Sequence, residues 1–204
     1  VHVIIDRSGS MNYGKMSKFD YASMLGAGFA YLALKDNEKF QFATFSDTIE
    51  LFQPQKSNSH LLSMVDYLND IKTKGNSKLS KSLAQYRKLI NTKSLIILIS
   101  DFLYDLEDIE NGLLAFAGND LKVIQVLDPS ERHLNMTGDV KLEDSENHSL
   151  LRTFISPRAK ASYERNLEQH IGKIQKACLD LRADFHVLTT DKPIFDSFYE
   201  ILGS

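Results

Sequence analysis

Leu95-Ile96-Ile97-Leu98-Ile99-Ser100-Asp101 is the stretch on which the fold turns. An unbroken apolar run rich in β-branched isoleucine offers no polar face to water, so residues 94–100 read as a strand covered on both sides. Such a strand belongs in the middle of a parallel sheet wrapped by helices. Working outward, Val1-His2-Val3-Ile4-Ile5-Asp6 and 121–127 carry the same signature, and 184–188 adds a further strand. Segments 39–45 and 48–52 are separated by so tight a turn at Ser46-Asp47 that they must pair antiparallel, with Pro54 closing the pair. Helical periodicity covers 19–34 behind a Ser17 cap, then 60–71, 79–90, 106–117, 157–181 and 193–202. This alternation predicts an α/β fold: a doubly wound, mainly parallel six-stranded sheet with one antiparallel edge strand and helices on both faces. Only 138–155 breaks the rhythm, and it reads as a small hairpin excursion, with strands at 140–143 and 150–155 around a polar tip at 144–149.

The 204 residues are 43% hydrophobic and 25% charged, the balance of a chain that buries a core, and they are read as one domain over 1–204. Lys and Arg number 24 against 27 Asp and Glu, for a net charge of −3, too small a bias for bulk attraction to nucleic acid. A single cysteine, Cys178, excludes an internal disulfide framework and suits a reducing, cytoplasmic compartment. No run approaches the ~20 apolar residues a bilayer-spanning helix needs. The abrupt start on an apolar strand suggests a domain excised from a longer protein, whose other segments could include a membrane anchor.

Ligands of doubly wound sheets bind beyond the carboxyl ends of the strands. The first strand ends in Asp6-Arg7-Ser8-Gly9-Ser10-Met11, the central one in Ser100-Asp101, and the helical break at Gly75-Asn76-Ser77 supplies another hydroxyl. An extended turn would project Asp6, Ser8 and Ser10 to one side and Arg7 to the other. With Ser77 and Asp101 they form a set of two carboxylates and three hydroxyls suited to a hard divalent cation. Mg²⁺ is the expected ion, with Mn²⁺ or Ca²⁺ as substitutes; magnesium takes oxygen ligands at about 2.0–2.1 Å and commonly keeps several waters. Serine hydroxyls neutralise little of its charge, so such an ion would attract one more carboxylate from outside. Each residue taken alone also has a plainer role, as a turn or cap residue.

In these residues the sequence resembles the von Willebrand factor A-like domains, whose metal-ion-dependent adhesion site joins an Asp-x-Ser-x-Ser loop to a Thr or Ser and an Asp from two further loops. The matching positions are Asp6, Ser8, Ser10, Ser77 and Asp101, with Ser77 where Thr is more usual and Phe102 where many members have Gly. Over nearly the whole chain it looks like the bacterial branch associated with MoxR-type AAA+ ATPases, known as domain of unknown function 58. Lys18-Phe19-Asp20-Tyr21-Ala22, Asp128-Pro129-Ser130-Glu131, Gly138 to Asp144, Tyr163, Cys178 and Leu188-Thr189-Thr190-Asp191-Lys192-Pro193 carry that likeness. The resemblance implies a non-enzymatic protein-interaction module: a partner's Asp or Glu completes the metal shell, and a MoxR-type ATPase is one partner in chaperone-like assembly.

Rival readings are a metal-dependent phosphohydrolase and a metal-free structural module. The first lacks the acid two positions after Asp6, where Ser8 stands, and no Gly-x-Ser-x-Gly elbow or phosphate loop is present. The six histidines show no paired ligand spacing. Gly26 and Gly28 lie inside a helix, where close helix-to-sheet packing accounts for them better than a nucleotide does. Arg7, Lys15, Lys74 and Lys78 are candidates for a cationic rim steering an acidic partner, although solvated helix faces carry such charges too.

Overall fold

The computed structural model describes residues 1–52, 59–71, 73, 78–134, 138–143 and 150–203. In chain order the elements are β1 (His2–Asp6), α1 (Lys18–Lys35), β2 (Gln41–Phe45), β3 (Ile49–Phe52), α2 (Ser59–Asp70), α3 (Leu79–Arg87), β4 (Leu95–Ser100), α4 (Leu106–Leu114), β5 (Asp120–Leu127), α5 (Pro129–Arg132), β6 (Gly138–Glu143), β7 (Leu150–Ile155), α6 (Pro157–Asp180), β8 (Asp184–Thr189) and α7 (Ile194–Leu202). The expected elements are all present, with ends displaced by a few residues. The helix expected over 79–90 stops at Arg87, and the one expected over 106–117 at Leu114. Sequence reading overlooked α5, which is too short to show periodicity.

Six strands form one sheet in the order β3-β2-β1-β4-β5-β8, parallel throughout except for β3, which pairs antiparallel with β2 at the edge. β4 lies between β1 and β5 as its composition demanded, and Ile96 to Ile99 are wholly buried. Alternation along the strands splits the core. Val3, Ile5, Ile97, Ile99, Ile124 and Val126 pack with α1, α2 and α7, whereas Ile4, Ile96, Leu98 and Val123 pack with α3, α4 and α6. β6 and β7 pair antiparallel in a separate two-stranded sheet. The 144–149 tip lies outside the described residues.

The α1 glycines have steric causes. A Cβ on Gly26 would come 2.7 Å from Ile5 Cδ1, as expected of close helix-to-sheet packing. Gly28 faces a different partner from the sheet expected of it: a Cβ there would overlap the Phe198 ring of α7.

The strand order reverses between β1 and β4, the neighbours from which the chain winds away in opposite directions. The connections that follow their carboxyl ends therefore leave to opposite faces of the sheet, opening the crevice that this topology provides for ligands.

Candidate metal centre

Parity along the strands decides how the two carboxylates reach the crevice. Asp6, at the end of β1, shares the face of Ile4, whereas Asp101, one residue past β4, continues the Ile97 and Ile99 face. They approach the sheet's upper edge from opposite sides, and both are fully buried. Asp6 Oδ1 accepts the Ser8 N–H at 2.8 Å; its Oδ2 accepts the hydroxyls of Ser100 at 2.7 Å and Tyr104 at 2.5 Å. Past β1 the chain makes a single 3₁₀ turn, Gly9–Met11, which lays Ser10 Oγ 3.1 Å from Ser8 Oγ. Tyr104 Oη also reaches Ser8 Oγ at 3.4 Å. Asp101 Oδ2 accepts from the Lys18 ammonium at 2.8 Å, while among the described residues Oδ1 receives only a long 3.3 Å bond from the Leu103 N–H.

Burial, and after it the charge of Asp101, push the Asp6 carboxyl up to about 6. The hydrogen bonds from Ser100, Tyr104 and Ser8 favour the charged form but do not overcome those two effects. A buried carboxylate whose proton affinity is raised in part by a second carboxylate, next to a pair of facing hydroxyls, is a donor set matched to a hard divalent cation: its charge would relieve the repulsion, and its preference for oxygen is met. No group of three or more His, Cys, Asp or Glu side chains able to hold a metal exists among the described residues, so an ion here would depend on hydroxyls and water.

The structure thus brings Asp6, Ser8, Ser10 and Asp101 to one edge of the sheet. Ser77 lies outside the described residues, as does Lys74. A family model described as "Protein of unknown function DUF58" matches residues 1–172. The chain belongs to the DUF58 family. Its architecture, the doubly wound and mainly parallel α/β sheet expected from the sequence, is shared by solved structures. Conserved hypothetical protein BatB from Bacteroides thetaiotaomicron superposes with a TM-score of 0.61 at 15% identity, over 100% of this chain and 97% of that one. An aerotolerance-related membrane protein from Bacteroides fragilis NCTC 9343, carrying multiple mutations to serine, gives 0.57 at 13% identity, over 99% and 96%. No curated protein matches by sequence. No helix among the described residues is long and apolar enough to cross a membrane.

Around the DUF58 site stand several side chains to which motif reading gave no role there. Lys18 is fully buried and bridges Asp101 to Glu131, to which it donates at 2.6 Å. Glu131 closes the capping box of α5: its Oε2 accepts the Asp128 N–H at 2.8 Å, while Asp128 accepts from the Ser130 N–H. A signal for Lys18 did exist, because 18, 21, 22, 25 and 29 are the buried stripe of α1, and a lysine on an apolar stripe needs a buried counter-charge. Tyr104 and Ser100 had no comparable signature. Phe102 has a φ of 50°, the left-handed backbone that glycine adopts most readily. It is held by full burial, by its N–H on Ser100 Oγ at 3.0 Å and by His170 Nε2 on its carbonyl at 2.8 Å.

Arg7 corrects the cationic rim. It does point away from the serines, but it is buried and ion-paired with Glu50 of β3, so it presents no charge to a partner. Cys178 is buried against the core, and burial pushes its thiol up to about 12, far from nucleophilic. His2 shares a 2.9 Å hydrogen bond between its Nδ1 and the Tyr86 hydroxyl, a structural role.

Proposed function

We propose that this DUF58 chain is a divalent-metal-dependent protein-interaction module, in which Asp6, Ser8, Ser10, Ser77 and Asp101 hold Mg²⁺ and a partner's Asp or Glu completes its shell. The observation that carries the reading is the meeting of two buried carboxylates and the Ser8–Ser10 hydroxyl pair at the carboxyl edge of the sheet. Mn²⁺ and Ca²⁺ share the preference for oxygen and are substitutes. Few charged protein ligands leave an ion electron-poor, which favours an incoming carboxylate over another neutral donor. No residue is assigned a catalytic role. A MoxR-type AAA+ ATPase is the partner proposed from the family resemblance. The relative from Bacteroides fragilis is a membrane protein, so attachment of this chain's parent to a membrane belongs to the same proposal.

One observation favours a metal-free structural module instead: the Lys18 ammonium already gives Asp101 a counter-charge. Calorimetric titration with Mg²⁺ and Mn²⁺ separates the readings. Uptake by the wild type, lost in Asp6→Ala and weakened in Ser10→Ala, supports the adhesion reading, whereas no uptake at millimolar ion, even with an acidic peptide present, selects the structural module. A pull-down from lysate with and without chelator then tests whether partner capture depends on the ion.

A further inference from the structure

Lys18 is the least expected residue in the molecule. Its side chain has no exposed surface, and its ammonium is shared between two carboxylates, Asp101 at 2.8 Å and Glu131 at 2.6 Å. Its two partners come from different parts of the chain, Asp101 just past β4 and Glu131 in α5 after β5, and one of them is a proposed metal ligand. The oxygens of those partners are unequally committed. Glu131 uses both, Oε1 on Lys18 and Oε2 on the Asp128 N–H. Among the described residues, Asp101 gives Oδ2 to Lys18 and leaves Oδ1 with only the long contact to the Leu103 N–H.

We propose that Lys18 is a built-in counter-ion and positioning residue: it holds Asp101 in place in the metal-free protein, restricts it to one available oxygen, Oδ1, and competes with the divalent ion for its charge. Glu131 retains the ammonium when Asp101 turns toward an ion, so the lysine never becomes an unpaired buried cation. This rests on the metal-binding reading above and deepens it by naming what sets the site's affinity. Two opposed effects of Lys18 can be weighed. Orienting Asp101 helps binding modestly, whereas a fixed positive charge beside a divalent cation in a poorly screened interior opposes it strongly, so repulsion outweighs orientation.

The test uses the Lys18→Met variant and, because stripping a counter-ion from two buried carboxylates can prevent folding, the double variant Lys18→Met/Glu131→Gln. The double variant keeps the net charge of the cluster, and a glutamine carbonyl can still accept the Asp128 N–H. Mg²⁺ and Mn²⁺ are titrated calorimetrically, and unfolding in urea is followed in chelator. The expected result is metal binding tightened by about tenfold or more in the folded variants, together with lower stability in chelator. A merely structural lysine could not tighten binding when removed. Unchanged or weaker binding in the double variant, with the wild type still binding, overturns the role of Lys18 alone. Absence of uptake in the wild type and in both variants overturns the metal-binding reading and this inference together.

Discussion

Replacing Asp6 with asparagine should stabilise the metal-free protein while abolishing its response to Mg²⁺. The folded protein holds the Asp6 proton up to about pH 6, against an ordinary value of 3.8, because burial and then Asp101 oppose its charge. At about 1.4 kcal/mol per unit, that difference of roughly two units makes the ionised carboxylate a burden of about 3 kcal/mol at pH 7. Asparagine is neutral at every pH, and its carbonyl can still accept the Ser8 N–H. The Ser100 and Tyr104 hydroxyls must turn from donating to accepting, which costs about 1 kcal/mol. Asp6→Asn should therefore unfold in urea with a stability about 1–2 kcal/mol above wild type at pH 7 in chelator. The advantage should shrink as pH falls. The folded state keeps the Asp6 proton below pH 6 and the unfolded chain only below 3.8, so the wild type regains stability as pH falls through 6, completely so below 3.8. Millimolar Mg²⁺ should raise wild-type stability by mass action and leave Asp6→Asn unmoved. An Asp6→Asn protein less stable than wild type at pH 7 in chelator would refute the reasoning, since burial and Asp101 would then not oppose the charge of Asp6.

Tyr104→Phe removes a donor from the charged Asp6 carboxylate, so stability in chelator should fall by about 1–2 kcal/mol at pH 7 and by less at pH 4; equal losses would show that the phenol does not act on the charge. Gly28→Ala should destabilise the wild type by displacing Phe198, yet stabilise a Phe198→Ala background by about 0.5–1 kcal/mol through helix propensity, giving a double-mutant coupling of about 2 kcal/mol; the same sign in both backgrounds would mean that the ring does not abut Gly28. Desolvation lowers His2 to about 4 from its ordinary 6.5, so its neutral form contributes stability above pH 6.5 that is lost as pH falls toward 4. The imidazole is only half-buried and solvent screens it, which leaves about 1 kcal/mol; urea unfolding of His2→Gln across that window should show a correspondingly shallower pH slope.

The sheet was legible because its information is local. The uniformly apolar 95–99 run specified a strand with two covered faces, the short Ser46-Asp47 turn specified an antiparallel edge, and the alternation with helices specified the rest. Asp6, Ser8, Ser10 and Asp101 were legible as a set because residues at strand ends in such a sheet share one rim, whatever packs beneath them. The charges around them were not legible. Arg7 and Lys18 are equally cationic in the sequence, yet packing buries one against Glu50 and the other between Asp101 and Glu131. Tyr104 gains its place from the loop after β4, which passes through Phe102 at a φ of 50° and brings the phenol to Asp6. Hydrophobic periodicity records which side of a segment leaves water. Which charge meets which, across the 83 residues separating Lys18 from Asp101, is decided when the two faces of the sheet close over their helices, since only there does a low dielectric make an unpaired charge intolerable.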